Sequence, residues 1–199
     1  MEFTLALLLY VIVQFIAFLF VLVGTPLDMF HQRGGGRFEN TPCITLWGSK
    51  NECHSGNYSM DLEELWRGCP ARQHRFRACQ AFAIISICVY GSAAVLGFLQ
   101  LCCCSFPRWV CLALNVTGAV TLFIVWASML VVYYQEDFLC VREKDLSVLG
   151  SGFALLVIAW LLDALNILFL LLLWPAADPS KSKDPSDNRD PSDSMDAKE

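Results

Sequence analysis

Hydrophobic positions in this chain do not alternate with polar ones; they run unbroken. Phe3 to Val23 carries no charge, nor does Ala78 to Leu101 or Trp109 to Tyr134, and Leu149 to Trp174 carries only Asp163. Each run exceeds the ~18 apolar residues that mark a helix able to cross ~30 Å of hydrocarbon. The pattern therefore predicts four transmembrane helices, at about residues 3–23, 78–101, 109–134 and 149–174. Pro26 and Pro175 follow the first and fourth runs, where a missing N–H costs nothing to a finished helix. The first run reads as a retained span rather than a cleaved leader. It has no positive n-region, Glu2 being its only early charge, and LVGTPLDMF offers no small-x-small cleavage site.

The polar segments divide the rest. SFPRW is short enough to make the second and third helices an antiparallel pair. The larger loops are residues 24–77 and 135–148. With an even number of spans, both termini and the short turn share one side of the membrane, and the two larger loops share the other. The tail, residues 175–199, repeats Asp-Pro-Ser at 178, 184 and 190. Acidic overall and too poor in apolar residues to bury a core, it should be a disordered cytosolic extension.

Charge and cysteine placement bear on orientation in opposite ways. Arg33, Arg37, Lys50, Arg67, Arg72, Arg75 and Arg77 all lie in the first loop, which on positive-inside counting would face the cytosol. That loop approaches the ~60-residue length above which segments translocate largely regardless of charge. Cys43, Cys53, Cys69 and Cys140 lie in the two larger loops, as suits an oxidising compartment. Asn57-Tyr58-Ser59 is a glycosylation sequon, and Cys102-Cys103-Cys104 ends the second span as an S-palmitoylation site would. These place the large loops outside and the termini in the cytosol. The net charge of −5 points to no partner, and no concentrated basic face suggests nucleic acid.

Within the first loop, Thr41 to Trp47 has strand character and Gly48-Ser49-Lys50-Asn51 supplies turn residues. Folding back about Gly48 would set Cys43 opposite Cys53, at a separation a disulfide tolerates. Closing such a ring contributes roughly 3 kcal/mol. The expectation is a disulfide-pinned β-hairpin carrying Trp47. Cys69 has two alternatives, pairing with Cys140 across the loops or with Cys79 at the membrane edge. A zinc site of Cys43, Cys53, His54 and Cys69 lacks the paired knuckles of structural zinc, and disulfides are the better reading. No metal or cofactor is expected.

The stretch CITLWGSKNEC resembles the signature of the amastins, small surface proteins of kinetoplastid parasites: Cys, apolar, Thr or Ser, Leu or Phe, aromatic, Gly, any, basic or Gln, any, acidic or polar, Cys. Cys43, Ile44, Thr45, Leu46, Trp47, Gly48, Lys50, Glu52 and Cys53 fit every defined position. ELWRGCPARQHRFRACQAFAIIS, RWVCLALNVTGAVTL and FALLVIAWLLDALNILFLLL also look like amastin segments of the delta type. The likeness covers roughly residues 1–174. It implies a four-span protein with cytosolic termini, distantly claudin-like in architecture, at the surface of the cell. It also implies contact with host or vacuolar membranes, or ion traffic, without choosing between them.

The spans hold one cluster that asks for an explanation. Asp163 is an ionisable group near mid-membrane, and Asn166 follows on the same helical face. Counted from the cytosolic ends at 1.5 Å per residue, Gln14 and Asp163 fall at one depth, and Asn115 and Asn166 at a shallower one. The cluster is either interhelical glue or a proton or cation relay, and glue is favoured because a pathway usually needs more than one intramembrane charge. Outside the membrane, Asp61 should cap a short helix ending near Trp66, with Glu64 reaching back. Arg72, Arg75 and Arg77 should pair with acids of the second loop or snorkel at the interface. His31, His54 and His74 read as exposed polar residues.

No glycine-rich phosphate loop, activated nucleophile or anchored carboxylate pair appears, so enzymatic activity is not expected. The expected protein is a membrane all-α four-helix bundle, residues 1–174, carrying a small disulfide-pinned β-containing extracellular domain. Its expected function is non-enzymatic: membrane or host–parasite contact, or surface organisation. The alternative is a proton or cation channel subunit using Asp163. Partners are the lipid bilayer, host or vacuolar membrane components, and further copies of the chain.

Overall fold

A computed structural model describes residues 2–33, 41–53, 55–102, 108–135 and 143–172. Four long helices dominate it: α1 (Glu2–Gly24), α3 (Pro70–Cys102), α4 (Arg108–Tyr134) and α6 (Ser151–Leu172). All four are long and apolar enough to cross a membrane. Each buries only about a third of its most apolar window inside the protein, with residues such as Leu5, Ile84, Val95, Val120 and Leu168 turned outward. Apolar side chains left outward on all sides of a bundle are what a hydrocarbon solvent requires.

The spans depart from the apolar runs at two ends. α3 begins at Pro70, two turns before the expected Ala78, because Pro is favoured in the first helical turn and nothing in ARQHRFR breaks a helix. The fourth run loses its first residue to strand β5 (Ser147–Leu149). Between them the chain forms α2 (Leu62–Leu65), α5 (Glu143–Leu146) and four more strands. These are β1 (Asp28–Gln32), β2 (Cys43–Thr45), β3 (Gly48–Lys50) and β4 (Met60–Asp61).

The five strands make one antiparallel sheet in the order β4-β3-β2-β1-β5. Both large loops contribute, since β5 comes from the second and the rest from the first. β1 holds a register irregularity between Asp28 and Phe30, and Met29 and Phe30 are both buried there. An extra residue in a strand breaks the alternation of faces, which accounts for two adjacent inward side chains. Phe30 stacks on Tyr133 of α4 at 6.0 Å, and Trp66 meets Phe76 of α3 at 5.5 Å. This aromatic layer joins the sheet to the end of the bundle and runs into the main core of Ala17, Val21, Leu122, Val125 and Leu156.

Candidate functional site

The cysteine-bracketed hairpin turns two residues earlier than Gly48. β2 pairs with β3 in the register Cys43↔Lys50 and Ile44↔Ser49, so the turn is Leu46-Trp47 and Gly48 opens the return strand. Thr45 explains the shift. Its Oγ1 accepts from the amides of Trp47 at 3.1 Å and Gly48 at 3.2 Å, and donates to the Gly48 carbonyl at 2.9 Å. A buried hydroxyl satisfying three backbone groups closes a tight turn by itself. Cys53 lies three residues past the position opposite Cys43, yet the two form a disulfide with Cα atoms 5.5 Å apart. The chain after β3 curls back to reach it.

The other signature residues serve the same turn. Leu46 is fully buried, and its carbonyl accepts from Gln80 Nε2 of α3 at 3.1 Å. Trp47 is half-buried and packs against the core, so it is not displayed. A Cβ on Gly48 would lie 2.5 Å from the Met60 carbonyl of β4, a contact no side chain tolerates. Lys50 Nζ sits 4.9 Å above the Tyr58 ring. The motif is therefore a set of struts that seats a hairpin tip on the bundle. What it offers outward is the far end: Glu52, Asn57, Tyr58 and Ser59 are exposed. A cavity of about 240 Å³ opens on the sheet beside it, lined by Phe30, Ile44, Leu146 and Glu143 among others.

One buried ion pair fastens the two loops together. Arg72, only 1% exposed, donates to Glu143 Oε1 at 3.3 Å and to the Gln135 carbonyl at 3.2 Å, with its guanidinium 5.3 Å from the Trp66 ring. Ser147 Oγ donates to the Glu143 carbonyl at 2.9 Å. Burial raises the Glu143 carboxyl above its ordinary value, opposed by Arg72 and by the Ser147 hydroxyl. Arg75 donates to Gln135 Oε1, whereas Arg77 meets Glu63 of its own loop at an exposed 3.4 Å. Among the described residues, Arg72 is the one of these three arginines that pairs with an acid of the second loop. Asp61 sits at the start of α2 without a side-chain cap bond, and its backbone pairs in β4 with Gly48.

Inside the bundle, α1 packs on α3 and α6, and α4 packs on the same two, so α1 faces α4 and α3 faces α6 across the axis. Tyrosines span both diagonals. The Tyr10 hydroxyl accepts from Asn115 Nδ2 at 2.8 Å, and Tyr90 donates to Asp163 Oδ2 at 3.0 Å. Asn166 Nδ2 donates to Gln14 Oε1 at 2.8 Å, and Ser86 Oγ lies 2.9 Å from Thr121 Oγ1. All four expected polar residues are buried, but they pair differently from the depth count. Gln14 meets Asn166 rather than Asp163, one helical turn along. Counting from chain ends takes every helix as level, and packing offsets them. Tyr10 and Tyr90 were not singled out from the sequence, since a tyrosine in an apolar run looks like a lipid-facing or belt residue. Its long reach to an opposing Asn or Asp was the available signal.

Cys69 is disulfide-bonded and Cys79 is a free buried thiol, so the Cys69–Cys79 pairing does not form. Cys79 lies nearly three turns down α3 from Cys69 and faces the Val125 carbonyl on α4. With Cys43, Cys53 and Cys69 all oxidised, the zinc reading of those residues has no thiolates to use. Asn57 is exposed beside Ser55, whose hydroxyl accepts its amide N–H at 3.1 Å. His74 is exposed and His31 half-buried. His54, Cys103, Cys104, Cys140, the side chain of Cys102 and the tail lie outside the described residues.

The amastin surface glycoprotein family model matches residues 15–170, from the middle of α1 to the last turn of α6, hairpin included. No curated protein sequence matches the chain.

Proposed function

We propose, for a chain that belongs to the amastin surface glycoprotein family, a non-enzymatic role in contact between membranes. The sheet projects outward on a four-helix anchor with cytosolic termini. One observation carries the reading: the signature is spent on holding a two-loop sheet rigid. Thr45, Leu46, Gly48 and the Cys43–Cys53 bridge fix the hairpin, and Arg72–Glu143 fixes the second loop against the first. Rigid scaffolding of exposed loop residues is how a surface pre-organises a contact at low entropic cost. The Asn57 sequon at the outer end suits a glycan facing away from the bilayer. The surface partner is another bilayer or a further copy of the chain on it.

The bundle axis argues against a conduction path through one copy, because Tyr10 and Tyr90 cross it on both diagonals. The intramembrane polar residues then act as glue between helices.

The experiment is vesicle tethering. Proteoliposomes holding the full chain are mixed with labelled protein-free vesicles and with a second set of proteoliposomes, before and after mild reduction. Tethering in either mixture that is lost on reduction is the expected result. No tethering, together with proton or cation flux that disappears in Asp163→Asn, would replace the proposal with transport.

A further inference from the structure

His31 of β1 holds an unusual position. Its Nδ1 lies 3.5 Å from Cys53 Sγ and 3.7 Å from Asp28 Oδ2, and these three atoms fall within 4.8 Å of one another. Zinc bonds of ~2.0–2.2 Å to N and O and ~2.3 Å to S put tetrahedral ligand atoms about 3.3–3.8 Å apart. Both distances from His31 fall in that interval. Cys43 Sγ is bonded to Cys53 Sγ, so cutting that bond frees a second thiol, on the strand next to β1, beside these three groups.

The groups behind the donors are also in place. His31 Nε2 lies 2.5 Å from Thr41 Oγ1, so an Nε2–H donated there leaves Nδ1 free to ligate. Asp28 accepts from Ser151 Oγ at 2.6 Å and from the Ser151 amide at 3.3 Å, at the start of α6. Ligating histidines and carboxylates are typically held by such outer bonds, which orient them before the ion arrives. Asp28, His31 and Cys53 are each half-buried, which leaves an entry path for a small ion.

We propose that Asp28, His31, Cys43 and Cys53 form a redox-gated site for a thiophilic divalent cation of the zinc class. In the oxidised protein the sulfurs are bonded to each other and the site is closed. A dithiol reductant opens it. Its two thiols become a disulfide, the Cys43–Cys53 bond breaks, and the two electrons and two protons gained leave two cysteine thiols. The cation then displaces both thiol protons and binds two thiolates, one imidazole nitrogen and one carboxylate oxygen. In this state the ion does the work of the lost bridge, tying the hairpin to β1 and to the first turn of α6. The proposal is independent of the membrane-contact reading.

The test is titration of the full chain in detergent with Co²⁺ and Cd²⁺, oxidised or reduced by a non-thiol phosphine, with Cys69, Cys102, Cys103 and Cys104 replaced by Ser so that neither the Cys69 bridge nor the cysteine run yields a competing thiol pair. The expected result is one ion per reduced chain, with visible Co²⁺ bands of a tetrahedral site with two sulfur ligands, and none in the oxidised chain. His31→Ala and Asp28→Asn should each weaken binding by more than the roughly tenfold that loss of an outer hydrogen-bond partner costs. Cys53→Ser should abolish it. Thr41→Val should weaken it without changing the Co²⁺ ligand set. Binding unchanged in His31→Ala would mean that the thiols alone capture the ion, and would overturn the site. So would equal uptake by the oxidised protein, or none by the reduced one. Should reduction loosen the sheet, protease resistance provides the second readout: zinc restores it in the parent and not in His31→Ala. Failure to restore it in the parent counts against the proposal.

Discussion

Replacing Thr45 with Val tests whether the signature is a set of struts. Val matches Thr in shape but has no hydroxyl, so the packing of this 1%-exposed side chain is kept while its three hydrogen bonds go. Two amides and one carbonyl would lose their partner in a buried turn. A buried polar group left unsatisfied costs about 1–3 kcal/mol, and three groups served by one oxygen do not add fully. Water admitted by a widened turn would recover part of the cost. The expected destabilisation of the hairpin is therefore about 2–3 kcal/mol. The assay is reduction of the Cys43–Cys53 bond by a fixed concentration of thiol, followed by alkylation and peptide mapping. Cys43 is only 3% exposed whereas Cys53 is half-buried, so attack on the Cys43 sulfur requires local opening, and the rate at which mixed disulfide forms on Cys43 reports the opening equilibrium. At 1.4 kcal/mol per tenfold, Thr45→Val should speed reduction roughly thirty- to hundred-and-fortyfold. Thr45→Ser keeps the oxygen and removes one methyl, worth about 0.8 kcal/mol or roughly fourfold. Equal rates for Val and Ser would refute the reasoning, because they would show that the methyl, not the hydroxyl, sets the turn.

Two further outcomes follow from the same geometry. Glu143 has a folded-state carboxyl raised above its ordinary 4.5, so the folded protein holds that proton more tightly than the unfolded one. Its contribution to stability must fall as pH rises from 4.5 through the raised value. Glu143→Gln should flatten that slope in pH-dependent thermal unfolding, and an unchanged slope would assign the pH dependence elsewhere. At the bundle axis, a Cβ on Gly118 would meet Tyr90 Cε2 at 2.8 Å, while Tyr90 is held by Asp163. Overpacking costs about 1–3 kcal/mol and the helix gains about 1 kcal/mol from Gly→Ala. Gly118→Ala should thus lower the unfolding temperature in micelles, and a rise would mean that the ring moves freely.

The anchor was legible in the sequence because hydrocarbon imposes a length and a composition that no packing detail can override. Four long apolar runs, one of them carrying the single charge of Asp163, sufficed to place α1, α3, α4 and α6 to within a few residues, except where α3 extends out of the apolar run from Pro70. The Cys43–Cys53 bridge was also readable, because two cysteines ten apart around turn formers are spaced to face each other across a hairpin. What failed was local register. The turn lies at Leu46-Trp47 because Thr45's hydroxyl outweighs the turn propensity of Gly48, whose real task is to let β4 approach. β1 and β5 carry no alternating pattern. A bulge buries both Met29 and Phe30, and Ser147–Leu149 becomes a strand only because β1 offers an edge to pair with. The pairings of Tyr10 with Asn115 and of Tyr90 with Asp163, like the meeting of His31 with Asp28 and Cys53, bring together residues whose sequence separations say nothing of contact. Membrane residence and helix count follow from each segment's own transfer from water to lipid. Which polar groups meet depends on how the segments are offset and rotated against one another, and that is settled only when they pack.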